Sequence, residues 1–160
     1  MSMNGQKCIL VAEDTDNDFF LLQVAFERSG VAANLVHAWN GEQALQYLAG
    51  EHPFTDRNKH PLPDLLLLDL QMPCFDGFEV LSNLQSRSEP GTVPIVVLSS
   101  SSLQEDAQKA ASLGARDFLT KPSSIKDYER MALGIQERWL GHAVPLVPKP
   151  KADANTPAPP

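Results

Sequence analysis

Short apolar stretches alternate along the chain with segments in which apolar residues recur at helical spacing. Short apolar runs rich in branched side chains are typical of strands buried on both faces of a sheet. Segments with apolar residues three and four positions apart, closed by glycine, are typical of amphipathic helices. The pattern predicts strands at 8–12, 34–38, 65–69, 94–99 and 117–120 and helices at 16–29, 41–49, 78–85, 102–114 and 124–140.

This order repeats a strand followed by a helix five times. Such alternation predicts an α/β domain whose parallel sheet is covered by helices on both faces and joined by right-handed crossovers. Five strands favour the flavodoxin-like, doubly wound (βα)5 fold with strand order 2-1-3-4-5. In that fold, ligands bind at the carboxyl edge of the sheet.

Two helix starts carry cap signals. Ser102 followed by Glu105 predicts a capping box on the fourth helix, and Ser124 followed by Asp127 predicts a cap on the fifth.

Two regions carry no predicted element. Segment 51–63 has three prolines and no periodicity, so it is predicted to be a loop, long for a compact domain. Segment 143–160 has six prolines and several alanines. It is predicted to be a disordered tail that follows a domain spanning 5–142.

Composition and charge narrow the class of protein. The chain has 160 residues, 42% of them hydrophobic and 21% charged, which fits one soluble globular domain. A net charge of −7 without a basic stripe disfavours nucleic-acid binding. A polar N-terminus and the lack of any apolar run of about 18 residues predict a cytoplasmic protein that does not enter membranes. Cys8 and Cys74 have no disulfide or metal-ligand pattern, which favours a reducing compartment.

Polar side chains follow four of the five predicted strands. Strand 1 ends in Glu13 and Asp14, strand 3 in Asp69 and strand 4 in Ser99, and Lys121 closely follows strand 5. Because parallel strands end at the same edge of a sheet, these groups are expected to converge at the switch point between strands 1 and 3.

The chemistry of this set favours phosphoryl transfer. Three carboxylates placed together repel one another and need a cation. Oxygen ligands without histidine or cysteine favour Mg²⁺, for which Mn²⁺ or Ca²⁺ can substitute. A hydroxyl and an ammonium nearby suit phosphoryl oxygens, and a carboxylate can itself be the nucleophile. The central position of Asp69 makes it the candidate phosphoacceptor.

The same residues resemble the signature of the receiver domains of two-component response regulators. The similarity extends from Lys7 to about Leu140 and rests on separated motifs: Glu13-Asp14, Asp69 with Met72-Pro73 and Asp76-Gly77, Ser99, and Lys121-Pro122. The resemblance implies that Asp69 accepts a phosphoryl group from a phosphohistidine on a sensor histidine kinase. Catalysis would be confined to the protein's own Mg²⁺-dependent phosphorylation and dephosphorylation.

The resemblance also implies a metal-ligand set. Asp14 would bind Mg²⁺ directly together with Asp69, Glu13 would bind it through water, and the backbone carbonyl of Gln71 would be a further ligand. Glu13 stands where aspartate is commoner in the family, a variation that keeps the carboxylate.

The resemblance further implies which residues contact the phosphoryl group and which form a conformational switch. Ser99 and Lys121 would contact the phosphoryl oxygens, and the Lys121–Pro122 peptide bond is expected to be cis. Phe118 stands at the position of the switch aromatic, which would turn inward when Ser99 moves. Ser99 replaces the frequent threonine and keeps its hydroxyl.

A finer similarity involves the 51–63 loop and the end of the last helix, Glu137-Arg138-Trp139-Leu140. Both resemble small stand-alone regulators that serve phytochrome kinases, which makes a bacterial phytochrome the candidate kinase. Because the sequence shows no DNA-binding or catalytic output domain, signalling is expected to use contact with a downstream protein or a homodimer.

Two other functional classes compete with this interpretation. An aspartyl-phosphate phosphatase would need a second acid two positions after the nucleophile, where this chain has Gln71. A receiver-fold adaptor that acts without phosphorylation stays as the alternative, although all the side chains needed for phosphorylation are present.

Overall fold

The computed structural model describes residues 5–87 and 93–141, so the predicted tail at 143–160 lies outside the described residues. The strands are β1 (Lys7–Ala12), β2 (Ala33–Ala38), β3 (Leu65–Leu68), β4 (Ile95–Ser99) and β5 (Asp117–Thr120). The helices are α1 (Asp16–Arg28), α2 (Gly41–Ala49), α3 (Gly77–Ser86), α4 (Gln104–Ser112) and α5 (Ile125–Trp139).

The strands form one parallel sheet in the order β2-β1-β3-β4-β5, which confirms the predicted fold. The register pairs Ala12 of β1 with Leu68 of β3, and Val97 of β4 with both Leu68 and Phe118 of β5. The Asp69 N–H extends the β1–β3 ladder by donating to the Ala12 carbonyl at 3.0 Å. The carboxyl ends of β1, β3 and β4 therefore lie side by side.

Alternate side chains of the central strands point to opposite faces of the sheet, as strand geometry requires. Leu66 and Leu68 pack with residues of α2, α3 and α4, whereas Leu65 and Leu67 pack with residues of α1 and α5. All four leucines are fully buried. The continuous apolar run at β3 thus reflects burial on both faces.

One predicted cap is present and the other is wrong. The Ser124 side chain accepts a hydrogen bond from the Asp127 N–H at the start of α5, as predicted. At α4 the N-cap residue is Leu103, with no side-chain cap. The capping box is found instead at α3, where Asp76 and Glu79 bond each other's backbone N–H.

The segment between α2 and β3 is held by one arginine. The Arg57 guanidinium donates to the carbonyls of Tyr47, Leu48 and His60 at 2.8, 2.9 and 3.2 Å. The rings of Tyr47, Phe54 and His60 also pack against one another. This segment is a loop, as predicted, but its contacts were not apparent from its composition.

The prediction of a cis peptide bond at Lys121–Pro122 is wrong. Among the described residues, the cis peptide bond is His52–Pro53. Cys8 and Cys74 are free thiols, as predicted. Within the described ranges, no helix is both long and apolar enough to cross a membrane.

Candidate functional site

One lysine gathers three carboxylates at the carboxyl edge of the sheet. The Lys121 ammonium lies 2.7 Å from Oε2 of Glu13, 2.7 Å from Oδ2 of Asp18 and 3.1 Å from Oδ2 of Asp69. The Lys121 N–H donates to the Ser99 carbonyl at 2.8 Å, which fixes the lysine to the end of β4. The predicted meeting of Glu13, Asp69 and Lys121 is therefore present.

Burial controls the electrostatics of this cluster. The side chains of Glu13 and Asp69 are 2% and 4% exposed. Burial raises the pKa of Glu13 to about 7, and the charge of Asp69 adds to this effect while the hydrogen bond from Lys121 opposes it. Burial by itself would lower the pKa of Lys121, but its hydrogen bonds to Asp18 and Glu13 raise it above its usual value. The lysine therefore stays an ammonium.

The acidic residues fit a divalent cation. Glu13, Asp14 and Asp69 each place a carboxylate oxygen within 4.8 Å of the others. The Thr15 N–H and hydroxyl hold Oε1 of Glu13 at 3.3 and 3.2 Å, which orients this carboxylate. With Asp18 included, the site holds four carboxylates and one ammonium, and this surplus of negative charge favours a hard cation with oxygen ligands.

Asp69 is positioned from both sides. The Gln71 N–H donates to Oδ1 of Asp69 at 3.0 Å, while Lys121 takes Oδ2. Helix α3 begins directly beside it at Gly77, whose N–H donates to the Leu70 carbonyl at 3.1 Å. A Cβ atom on Gly77 would lie 2.5 Å from the Asp69 carbonyl oxygen, so glycine is required for this close approach.

Ser99 lies at the same edge but does not join the ionic cluster. Its side chain is fully buried, and its hydroxyl oxygen accepts a hydrogen bond from the Ser101 N–H at 3.1 Å. The Ser101 hydroxyl in turn bonds Oδ2 of Asp106 at 2.6 Å. The Ser99 hydroxyl proton therefore has no assigned acceptor among the described residues.

The Phe118 side chain lies on the face of the sheet covered by α2, α3 and α4, and not on the face covered by α1 and α5. It is partly buried and packs against the core formed with α2, α3 and α4. Its strand pairs with β4, where Ser99 is opposite Thr120. Phe118 and Ser99 therefore belong to adjacent strands, two pairs apart in register.

Two contributors to the site were missed from the sequence. Asp18 lies in the first turn of α1 and bonds Lys121, and His37 bonds the Glu13 carbonyl through Nε2 at 2.7 Å. Phe19 and Trp39 flank the His37 ring at 4.1 and 4.0 Å between centroids. The sequence does carry a signal for Asp18, because a helix that starts directly after β1 must place its first turn beside the carboxyl edge of the sheet.

The sequence matches a known protein family along most of its length. The sequence profile described as the response regulator receiver domain matches residues 9–132. The chain is 32% identical to the response regulator Rcp1 of Synechocystis over 137 residues, covering 86% of this chain and 91% of Rcp1.

Two solved structures are similar over more than four fifths of the chain. RPA3017, a response regulator in red light signalling of R. palustris, has a TM-score of 0.79 and 34% identity, covering 84% of this chain and 94% of that one. The phosphorylated cyanobacterial phytochrome response regulator RcpA has a TM-score of 0.76 and 32% identity, covering 89% and 99%. The chain thus belongs to the response regulator receiver domain family.

Proposed function

We propose that the protein accepts a phosphoryl group on the Asp69 carboxylate from a phosphohistidine of a sensor histidine kinase. The observation that carries this proposal is the Lys121 ammonium, 3.1 Å from Asp69, beside carboxylates that could hold a divalent cation. We further propose that the receiver domain spans residues 5–142 and acts in the cytoplasm. The signal would pass to another protein through a contact that depends on phosphorylation.

The chemistry follows from the groups around Asp69. A carboxylate oxygen attacks phosphorus, the bond from phosphorus to the histidine nitrogen breaks, and an acyl phosphate forms. The transition state is loose, so positioning and charge neutralisation provide most of the acceleration. Gln71 and Lys121 already orient the two Asp69 oxygens.

We assign Mg²⁺ to the acidic cluster, with Glu13, Asp14, Asp69 and the Gln71 carbonyl as its ligands. The ion would neutralise charge on the phosphoryl oxygens, and Mn²⁺ or Ca²⁺ could replace it. Lys121 would then contact one of these oxygens. The protein is proposed to catalyse nothing beyond its own phosphorylation and dephosphorylation.

A switch is proposed at Ser99 and Phe118. The Ser99 hydroxyl would donate to a phosphoryl oxygen and move toward it, and Phe118 on the adjacent strand would fill the vacated space. The shift would change a pre-existing equilibrium at the face formed by α4, β5 and α5. A downstream protein or a second copy of this chain would bind there.

The candidate kinase is a bacterial phytochrome. This part of the proposal is supported by two similar proteins, of which RcpA is named a phytochrome response regulator and RPA3017 is named in red light signalling. Both align with more than four fifths of this chain.

The test of phosphoryl acceptance is an intact-mass measurement with Mg²⁺ and a small phosphodonor such as acetyl phosphate. Wild type and Asp76→Asn should each gain one phosphoryl group, whereas Asp69→Asn should gain none. Asp76→Asn is the matched control because Asp76 caps α3 in the same loop and asparagine can also cap. Wild type without a gain, although it binds Mg²⁺, would favour an adaptor that acts without phosphorylation.

The switch has its own test. Hydrogen exchange should change across 104–139 when the wild-type protein is phosphorylated, and Phe118→Ala should lose most of that change while keeping the gain in mass. Phe20→Ala is the control, because Phe20 is an exposed aromatic on α1. The same exchange change in Phe118→Ala and wild type would contradict the switch.

A further inference from the structure

Asp18 stands apart from the other carboxylates around Lys121. An ammonium has three N–H donors, and the three carboxylates of Glu13, Asp18 and Asp69 each lie within 3.1 Å of Nζ. Glu13 and Asp69 also belong to the cluster that could hold a cation, whereas Asp18 does not. Among the described residues, Asp18 is therefore the one carboxylate that bonds Lys121 without also belonging to the cluster that could hold a cation.

Lys121 and a divalent cation compete for the same two carboxylates. An ammonium 2.7 Å from Glu13 and 3.1 Å from Asp69 offsets negative charge that would attract a cation, and it repels the cation as a like charge. Binding of the cation thus requires Lys121 to loosen its hold on Glu13. The lysine side chain is only 12% exposed, so water is a poor substitute for the lost partner.

Asp18 can supply that partner. Its contact with Lys121 is as short as the Glu13 contact, 2.7 Å, and its side chain is 30% exposed, so its own charge is partly hydrated. The Asp18 N–H is capped by the Thr15 hydroxyl at 3.4 Å, which places the residue firmly in the first turn of α1. The contact links α1 to the end of β5.

We propose that Asp18 is a positioning residue that retains the Lys121 ammonium when a divalent cation takes Glu13 and Asp69. The inference rests on the proposed function, because it assumes a cation at the acidic cluster. Without the Asp18 charge, Lys121 would hold Glu13 and Asp69 more tightly and would compete more strongly with the cation. Asp18 therefore strengthens cation binding through Lys121 and not as a ligand.

A double-mutant cycle separates the effect that Asp18 exerts through Lys121 from the general effect of a negative charge near the site. Calorimetric Mg²⁺ titrations would compare wild type, Asp18→Asn, Lys121→Met and the double variant. Asp16→Asn is the matched control, since Asp16 is the other acid in the first turn of α1 and is exposed. Urea unfolding of each variant reports whether the fold is intact.

The expected result is a loss of about tenfold in Mg²⁺ affinity for Asp18→Asn, the size of one charge-assisted hydrogen bond. Asp16→Asn should change the affinity by less than about threefold, since a separated exposed charge is screened. In the Lys121→Met background the Asp18→Asn effect should shrink to the size of the Asp16→Asn effect. An equal loss in both backgrounds, or equal losses for Asp18→Asn and Asp16→Asn, would overturn the inference and leave the proposed function standing. Wild type that binds no Mg²⁺ would overturn both.

Discussion

Replacing Gly77 by alanine should displace the backbone that carries Asp69. The added Cβ would lie 2.5 Å from the Asp69 carbonyl oxygen, 2.7 Å from the Leu70 Cα and 3.0 Å from the Leu70 Cδ2. Two of these three atoms belong to the backbone, which cannot turn aside as a side chain can. Relief requires either α3 or the 69–70 segment to move by about 1 Å, the difference from an ordinary van der Waals contact.

The magnitude follows from the cost of overpacking. Forcing extra atoms into a packed site costs about 1 to 3 kcal/mol of unfolding free energy. Gly134→Ala is the matched control, because Gly134 lies inside α5 and its added Cβ would meet no atom within 4 Å. Alanine in a helix interior is favoured over glycine, so this variant should gain about 0.5 to 1 kcal/mol.

Two assays measure the effect. Urea unfolding followed by circular dichroism should place Gly77→Ala about 1.5 to 4 kcal/mol below Gly134→Ala, since the two effects have opposite signs. The rate of phosphoryl gain from acetyl phosphate should fall by about 10- to 100-fold in Gly77→Ala only, because a 1 Å misplacement of a reacting group is enough for that loss. A Gly77→Ala variant as stable and as reactive as wild type would refute the reasoning.

Two further predictions concern stability away from the site. Arg57→Met keeps the apolar stem but loses the hydrogen bonds to the Tyr47, Leu48 and His60 carbonyls. Urea unfolding should therefore show a free energy of unfolding lower by about 2 to 3 kcal/mol, and hydrogen exchange across 50–64 should be faster. Unchanged exchange in that segment would contradict the role of Arg57. Burial raises the pKa of Cys8 from 9.0 to about 11, so the folded state favours the neutral thiol. The contribution of this thiol to the free energy of unfolding is therefore present below pH 9 and is lost as the pH rises to about 11. The fall in unfolding free energy over that interval should be about 2 to 3 kcal/mol smaller in Cys8→Ala than in wild type, and equal falls would contradict the shift.

The fold was predictable because its signals are local and repeated. The four leucines of β3 predicted a strand buried on both faces, and both faces are covered. The alternation of strands and helices then restricted the topology, and the order β2-β1-β3-β4-β5 followed. The convergence of Glu13, Asp69 and Lys121 followed in turn, since it depends only on where strands end.

The parts that were not predicted depend on side-chain direction and tertiary contact. The sequence places the first turn of α1 beside the carboxyl edge of the sheet, but the contact of Asp18 with Lys121, 103 positions away, depends on the direction of both side chains. Arg57 orders its loop through carbonyls, which carry no sequence signal. At α4, the Ser101 hydroxyl bonds Asp106 and the Leu103 N–H, and the helix starts without the predicted Ser102 cap.

The central claim is that Asp69 carries the phosphoryl group, and chemical mapping of the modified residue tests it most directly. Borohydride reduces an acyl phosphate on an aspartate side chain to homoserine, so protein treated with Mg²⁺ and acetyl phosphate would be reduced, digested and mapped by peptide mass. The account predicts homoserine at position 69, formed only when both Mg²⁺ and the phosphodonor were present. Conversion at Asp14 or another carboxylate, with position 69 unchanged, would contradict it.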